Sequence, residues 1–152
     1  MKKALLILTI FVLAFAPACK KDSLSPSAAH NVKISISYEP PNITINAPVP
    51  DPAKIAKGDT VNWVVTVTPG TPTLDVTIDD FKDGSGKPVD VFGDGSTYRF
   101  GGVGSAPTTK PSGPAGIVSD AAGFKYNITA VSATGDKKVL DPRIIVSAGL
   151  AP

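Results

Sequence analysis

Six aspartates lie close together in the middle of the chain, and their type and spacing come nearest to a metal site. They are Asp75, Asp79, Asp80, Asp83, Asp90 and Asp94. Calcium prefers clustered carboxylate and carbonyl oxygens. The segment from Asp79 to Asp94 is therefore a candidate calcium site, with Asp79, Asp80, Asp83 and Asp90 as its candidate ligands. The competing interpretation is a set of solvated turn residues, because Asp favours turns through hydrogen bonds to nearby backbone.

The spacing of these aspartates does not match an EF-hand. A loop that began at Asp79 would place Phe81 at its third position and Lys87 at its ninth, where oxygen ligands are needed. No amphipathic helix is predicted on either side of the segment. The sequence therefore excludes an EF-hand and leaves only a looser calcium site open.

Residues for nucleophilic catalysis are missing from the predicted domain. The chain has one histidine, His30, one cysteine, Cys19, and one glutamate, Glu39. Ser-His-Asp and Cys-His mechanisms need an imidazole beside the nucleophile, and we expect His30 to lie in a solvated tether. A pair of aspartates could hydrolyse glycosides, but no aromatic-rich cleft pattern accompanies them. We therefore expect no enzymatic activity and no cofactor.

The first 18 residues have the pattern of a secretory signal peptide. Lys2 and Lys3 precede an apolar stretch over residues 4–16 that only Thr9 interrupts. Ala16 and Ala18 then place small residues at −3 and −1 of a cleavage point. The stretch is shorter than the ~20 apolar residues of a membrane-spanning helix. Residues 1–18 are therefore predicted to be removed.

The residues at this cleavage point resemble a bacterial lipoprotein motif. Ala16-Pro17-Ala18-Cys19 is similar to the lipobox, small-x-Ala-Cys, with alanine at the position where leucine is usual. The resemblance implies that acyl chains such as palmitate on Cys19 anchor the protein to a membrane. A lone cysteine also has no disulfide partner within the chain. The alternative is an ordinary signal peptide that ends beside a free thiol.

The residues after Cys19 bear on location. Lipoprotein sorting associates Asp in the next position with the inner membrane, so Lys20 implies the outer membrane. The run Cys19-Lys20-Lys21-Asp22 is also similar to the start of lipoproteins that reach the cell surface, so the domain is expected to face the periplasm or the exterior. Residues 19–31 are interpreted as the lipidated N-terminus and a tether.

The charge of the mature chain argues against nucleic-acid binding. The full sequence has 15 basic and 13 acidic residues. Lys2 and Lys3 account for the whole excess, so the mature chain has no net charge. A basic patch would be expected of a DNA- or RNA-binding protein. The partners that remain are the membrane, through Cys19, and a possible protein or carbohydrate.

Residues 32–148 alternate apolar and polar side chains in short runs separated by Gly and Pro. One run places Val61, Trp63 and Val65 on one face of a strand and Asn62 on the other. Such runs are typical of a sandwich. The sequence therefore predicts an all-β fold, a single antiparallel two-sheet β-sandwich. Its strands are predicted at residues 32–38, 43–45, 61–68, 74–79, 89–92, 97–100, 116–119, 124–132 and 142–146.

The segment from Gly101 to Gly116 is predicted to be a long loop. It holds five glycines and three prolines. Structureless loops of this length are uncommon in compact domains and are usually functional or disordered. We favour disorder and keep a binding function as the alternative.

Three fragments resemble cupredoxin-like and immunoglobulin-like sandwiches. They are Lys57-Gly58-Asp59-Thr60-Val61-Asn62-Trp63, Gly123-Phe124-Lys125-Tyr126-Asn127-Ile128 and Asp141-Pro142-Arg143-Ile144-Ile145-Val146. The resemblance implies a shared framework of strands. It does not extend to a copper site, because blue copper needs two imidazoles and a thiolate and this chain has a single histidine. Asn127 and Ile128 stand near the position of the copper family's cysteine.

The aromatic residues allow two interpretations. Five of them could form a platform on which sugars stack, and their strand context also suits a core because Trp63 and Tyr126 alternate with apolar residues. Exposure of these rings would distinguish the two. The five are Trp63, Tyr38, Tyr126, Phe124 and Phe100.

Overall fold

The computed structural model describes residues 27–149, and all regular secondary structure within that range is β-strand. The all-β prediction is confirmed. The strands are β1 (Ala29–Glu39), β2 (Asn42–Ile45), β3 (Ala53–Ala56), β4 (Thr60–Val67), β5 (Leu74–Lys82), β6 (Tyr98–Val103), β7 (Thr108–Pro111), β8 (Phe124–Ser132), β9 (Lys137–Leu140) and β10 (Arg143–Ser147).

The strands form two sheets. Sheet A has the order β2-β1-β4-β7, and sheet B has the order β3-β10-β8-β5-β6, with β9 also paired to β8. Sheet B curls into a half-barrel. Alternating residues of β1, β4, β5 and β8 are buried, because successive side chains of a strand point to opposite faces. Their buried faces form the core.

The prediction of purely antiparallel sheets is wrong for two strand pairs. β1 runs parallel to β4, from Ala29 opposite Thr60 to Ile36 opposite Val67. β3 runs parallel to β10. Alternation fixes which side chains face inward but not the direction of a neighbouring strand, so the sequence pattern could not distinguish these pairs. A parallel pair needs a crossover connection, and the chain between β1 and β4 provides it through β2 and β3.

The last two strands continue each other along β8. Ile128 pairs with Leu140 in β9, and Lys125 pairs with Arg143 in β10, in one unbroken antiparallel register. Pro142 lies between the two strands and lacks a backbone N–H. β9 and β10 are therefore two halves of one strand, and with β8 they form a C-terminal hairpin.

Three short strands are missing from the predicted set, and two predicted strands are not strands. β3, β7 and β9 each have only four residues. Residues 89–92 and 116–119 form bends and irregular chain instead. The prediction of a long disordered loop from Gly101 to Gly116 is also wrong, because this segment includes the end of β6 and all of β7.

The aromatic side chains belong to the core and form no sugar-binding platform. Trp63 and Tyr126 are 0% and 1% exposed. The Tyr126 ring centroid lies 5.3 Å from that of Trp63 and 5.1 Å from that of Phe81, against which it stacks. Tyr38, Phe100 and Phe124 are buried as well. The rings that could have stacked on a sugar instead join the two sheets.

Candidate functional site

The acidic segment begins at an irregularity near the end of β5. The register of β5 with β8 shifts after Asp79, and Asp80 has a φ of 55°. The Asp80 carboxylate accepts hydrogen bonds from Lys82 Nζ at 2.7 Å and from Asn127 Nδ2 at 3.0 Å. Asp80 is thus already paired with a cation and an amide.

Asp83 organises the turn that follows β5. Its Oδ1 accepts hydrogen bonds from the Ser85 hydroxyl at 2.6 Å, the Ser85 N–H at 2.9 Å and the Lys87 N–H at 3.0 Å. The Ser85 hydroxyl and the Lys87 N–H lower the pKa of the Asp83 carboxyl. Such local hydrogen bonds are the usual reason for Asp in turns.

Asp90 stabilises the next loop in the same way. Its carboxylate accepts hydrogen bonds from the Ser96 hydroxyl at 2.6 Å, the Gly93 N–H at 2.9 Å and the Gly95 N–H at 3.1 Å. The Ser96 hydroxyl is the largest cause of the lowered pKa of Asp90. The carboxylate therefore closes a loop between two buried segments.

Asp94 connects this loop to sheet A and to the core. It accepts hydrogen bonds from the Ser96 N–H at 2.9 Å, the Gly113 N–H at 2.7 Å and the Tyr98 hydroxyl at 3.0 Å. Burial and the negative charge of Asp94 raise the pKa of Tyr98. The Tyr98 hydroxyl therefore stays protonated and remains a hydrogen-bond donor.

The four calcium candidates do not converge on one point. Asp80, Asp83 and Asp90 each bind separate local donors, and Asp79 is half-buried in β5 opposite Asn127. Between residues 27 and 149, no three His, Cys, Asp or Glu side chains are close enough to hold a metal ion. The geometry favours structural turn residues, the competing interpretation of the sequence.

A second polar cluster lies where the chain enters the domain. Asp59 is 9% exposed. Its Oδ1 accepts a hydrogen bond from the Ala28 N–H at 2.9 Å, and its Oδ2 accepts one from the Ala56 N–H at 3.1 Å and lies 2.7 Å from His30 Nε2. Burial raises the pKa of Asp59, but the hydrogen bonds from Ala28, His30 and Ala56 outweigh that effect and lower it.

The sequence suggests that His30 is a solvated tether residue, and this prediction is wrong. It lies in β1, which begins at Ala29, three residues before the predicted first strand at residue 32. His30 has the same parity as the buried Val32 and Ile34, so extending the alternation by one step would have placed it in the strand. Its pairing with Asp59, 29 residues away, carries no local sequence signal.

A third cluster joins β1 to the turn between β8 and β9. Asp136 Oδ2 accepts hydrogen bonds from the Tyr38 hydroxyl at 2.6 Å, the Thr134 hydroxyl at 2.8 Å and the Ser132 hydroxyl at 3.1 Å. The Tyr38 hydroxyl is the largest cause of the lowered pKa of Asp136. The cluster lies at the opposite end of β1 from His30, and sequence reasoning did not identify it.

A surface depression of about 390 Å³ lies where β3 and β10 begin. An Asp-Pro pair precedes each of these parallel strands, so both signs of charge meet there. Lys125 Nζ lies 2.9 Å from Asp141 Oδ2. The depression therefore shows no preference for a ligand of one charge. It is lined by Asp51, Pro52, Ala121, Ala122, Asp141, Pro142, Arg143 and Ile145.

The residues near the copper family's cysteine position serve the fold. Ile128 is fully buried and pairs with Leu140, whereas the Asn127 side chain binds Asp80. Cys19 and the predicted signal peptide at residues 1–18 lie outside the described residues. Within the range that is described, no helix is long and apolar enough to cross a membrane.

Comparison with known proteins assigns no family. No protein-family model matches the chain. A search of curated proteins likewise finds no significant match.

Proposed function

We propose that this protein is a lipid-anchored protein of the cell envelope, held by acyl chains on Cys19 in the outer membrane. The observation that carries the proposal is the sequence Ala16-Pro17-Ala18-Cys19, which follows a basic and then an apolar segment. The position of the folded domain supports it, because β1 begins ten residues after Cys19. A domain on so short a connection stays at the membrane surface.

The domain is proposed to act by contact rather than catalysis, as an interaction or envelope-structural module. The one histidine is paired with Asp59, and the carboxylates of Asp83, Asp90 and Asp136 accept several local hydrogen bonds each. Groups engaged in this way hold turns together. They are not poised to transfer protons to a substrate.

Of the two sandwich families that the sequence resembles, we favour the cupredoxin-like one. Immunoglobulin-type sandwiches are built from antiparallel sheets, whereas this domain has a parallel pair in each sheet. The Lys57-Gly58-Asp59 turn leads directly into β4, as expected from that resemblance. The proposed domain is a cupredoxin-like framework without a copper site.

The anchor is tested by fractionating cells that express the wild type, Cys19→Ala or Ser23→Ala. We expect the wild type and Ser23→Ala proteins in the membrane fraction and Cys19→Ala in the soluble fraction. Protease treatment of whole cells would then separate a surface location from a periplasmic one. Equal solubility of all three proteins would contradict the proposal.

Calcium or carbohydrate binding by the segment from Asp79 to Asp94 is the second candidate. One observation favours it: the carboxylates of Asp90 and Asp94 both bind Ser96, so two negative groups approach one residue. A ligand that binds only the folded state raises the melting temperature.

If this candidate is right, millimolar calcium raises the melting temperature of the wild type but not that of Asp90→Asn. Asp51→Asn, an exposed aspartate outside the segment, serves as the control. An unchanged wild-type melting temperature would exclude calcium. The carbohydrate alternative requires a glycan-binding assay of its own.

A further inference from the structure

Two of the exposed large apolar side chains are adjacent in sequence. Ile117 is 38% exposed and Val118 is 46% exposed. They lie in the irregular segment between β7 and β8. Single exposed apolar residues are common on protein surfaces. An adjacent pair at one end of the domain is better evidence of a contact surface than a single residue.

Backbone hydrogen bonds hold this segment on both sides of the pair. The Ala115 N–H donates to the Asp59 carbonyl at 2.8 Å, and the Gly58 N–H donates to the Ala115 carbonyl at 2.9 Å. On the other side, the Ser119 N–H donates to the Val146 carbonyl at 2.9 Å. Ile117 and Val118 are therefore presented from a fixed backbone.

Asp59, which binds Ala115 through its backbone, also holds the chain where it enters the domain. Asp59 Oδ1 binds the Ala28 N–H at 2.9 Å, and the Thr60 N–H donates to the Ala28 carbonyl at 2.9 Å. Cys19 lies nine residues before Ala28. A fully extended chain of that length reaches at most about 32 Å. The apolar pair thus lies at the end of the domain to which the lipid anchor connects.

We propose that Ile117 and Val118 insert into the membrane interface and, with Lys57, form a membrane-contacting surface, here called the tether-end surface. The inference rests on the proposed lipid anchor. Lys57 is exposed, and its N–H donates to the Ser147 carbonyl at the same end. A lysine can keep its ammonium among headgroups while its aliphatic stem lies on apolar surface.

A contact of two aliphatic side chains can orient the domain on the membrane only because the domain is tethered there. Burying part of two aliphatic side chains favours the bound orientation by roughly tenfold. A short linker supplies an effective concentration in the millimolar range, so a weak contact becomes populated. Asp120 is exposed two residues after Val118, and its charge is repelled by anionic lipids. Apolar burial therefore has to supply the attraction.

This orientation also defines the surface that is left for a partner. The cluster of Tyr38, Ser132, Thr134 and Asp136 lies at the other end of β1 from Ala28. With the tether-end surface on the bilayer, that cluster faces away from the membrane. A protein or carbohydrate partner would reach the domain there.

The test uses the acylated full protein in vesicles of equal parts phosphatidylethanolamine and phosphatidylglycerol. Val118→Cys and the matched control Val139→Cys, which is 44% exposed in β9, are each labelled with a polarity-sensitive fluorophore. We expect blue-shifted emission and quenching by spin-labelled lipid at position 118 only. Ile117→Cys provides a second probe if Val118→Cys lowers the thermal stability.

Equal, water-like emission at positions 118 and 139 in an acylated protein would overturn this inference and leave the anchor standing. An acylated Cys19 has no free thiol, so the wild type should take up no label. Labelling of the wild type, together with an unacylated mass, would overturn both the anchor and the inference.

Discussion

Asp59 holds the junction at which the chain enters the domain. Its one carboxylate binds the chain before β1, the imidazole of His30 and the last residue of β3. Replacing one oxygen of this nearly buried acceptor with an amide nitrogen leaves a donor without a partner, and such a loss costs about 1–3 kcal/mol. The effect of changing Asp59 should therefore be larger than that of changing an exposed aspartate.

We predict that Asp59→Asn lowers the free energy of unfolding by about 1–3 kcal/mol, and that Asp51→Asn changes it little. Urea unfolding of both variants in the Cys19→Ala background measures the difference. Equal stability of the two variants would show that the Asp59 hydrogen bonds do not hold the junction.

The same residue predicts a dependence on pH. The folded pKa of Asp59 is below its ordinary value, so its stabilising contribution is full above the unfolded pKa of about 3.9 and is lost as the pH falls through the folded pKa. The stability of the wild type should fall more steeply with acid than that of Asp59→Asn. Parallel curves from pH 6 down to pH 3 would contradict this assignment.

Tyr38 and Asp136 should behave as a coupled pair. Removing the Tyr38 hydroxyl with Tyr38→Phe eliminates the 2.6 Å hydrogen bond to Asp136 and should cost about 1 kcal/mol. In a double-mutant cycle with Asp136→Asn, we expect the two losses to be non-additive because the residues share one contact. Strict additivity would mean that the contact stabilises nothing.

At the scale of elements, the turn before β8 depends on a glycine. Gly123 has a φ of 75°, and a Cβ there would lie 2.7 Å from the Ile144 carbonyl oxygen of β10. Gly135 has a φ of 93° but open space around it. The two positions share the backbone conformation and differ in the clash.

We predict that Gly123→Ala destabilises the domain by at least about 1 kcal/mol more than Gly135→Ala. The left-handed backbone alone should cost Gly135→Ala about 1–2 kcal/mol. Thermal unfolding of the two variants provides the comparison. A Gly135→Ala protein as unstable as Gly123→Ala would show that the approach of β10 is looser than described.

The sequence predicted every strand that has a long alternation and missed three of the short ones. β1, β4, β5 and β8 have eight or more residues each, and all four were predicted. β3, β7 and β9 have four residues each and contain lysine, proline or both near their ends. β2 has the same length but places Ile43 and Ile45 two positions apart. The three missed strands have no such pair of large apolar residues, so a period of two cannot be recognised in them.

The polar clusters were predictable only in part. The hydrogen bonds of Asp83 and Asp90 are local, so a turn function could be inferred from composition. The His30–Asp59 and Tyr38–Asp136 contacts join residues 29 and 98 positions apart, and they exist only because of the strand arrangement. A single sequence contains no pattern for such pairs.

At the scale of the whole molecule, the order and direction of the strands determine what the domain presents. The parallel β1–β4 pair brings Ala28 and Asp59 to one end, and Ile117 and Val118 are held beside them. Neither the direction of β4 nor this grouping could be derived from alternation alone. The proposed orientation on the membrane is therefore a consequence of topology.

Acyl chains on Cys19 are proposed to hold this domain at a membrane, and the intact mass of the protein purified from membranes tests this proposal. We predict the mass of residues 19–152 plus acyl groups, with the added mass mapped to Cys19, and no such species from Cys19→Ala. A mature chain that begins at Cys19 with an unmodified thiol, or a precursor that retains residues 1–18, would contradict the claim.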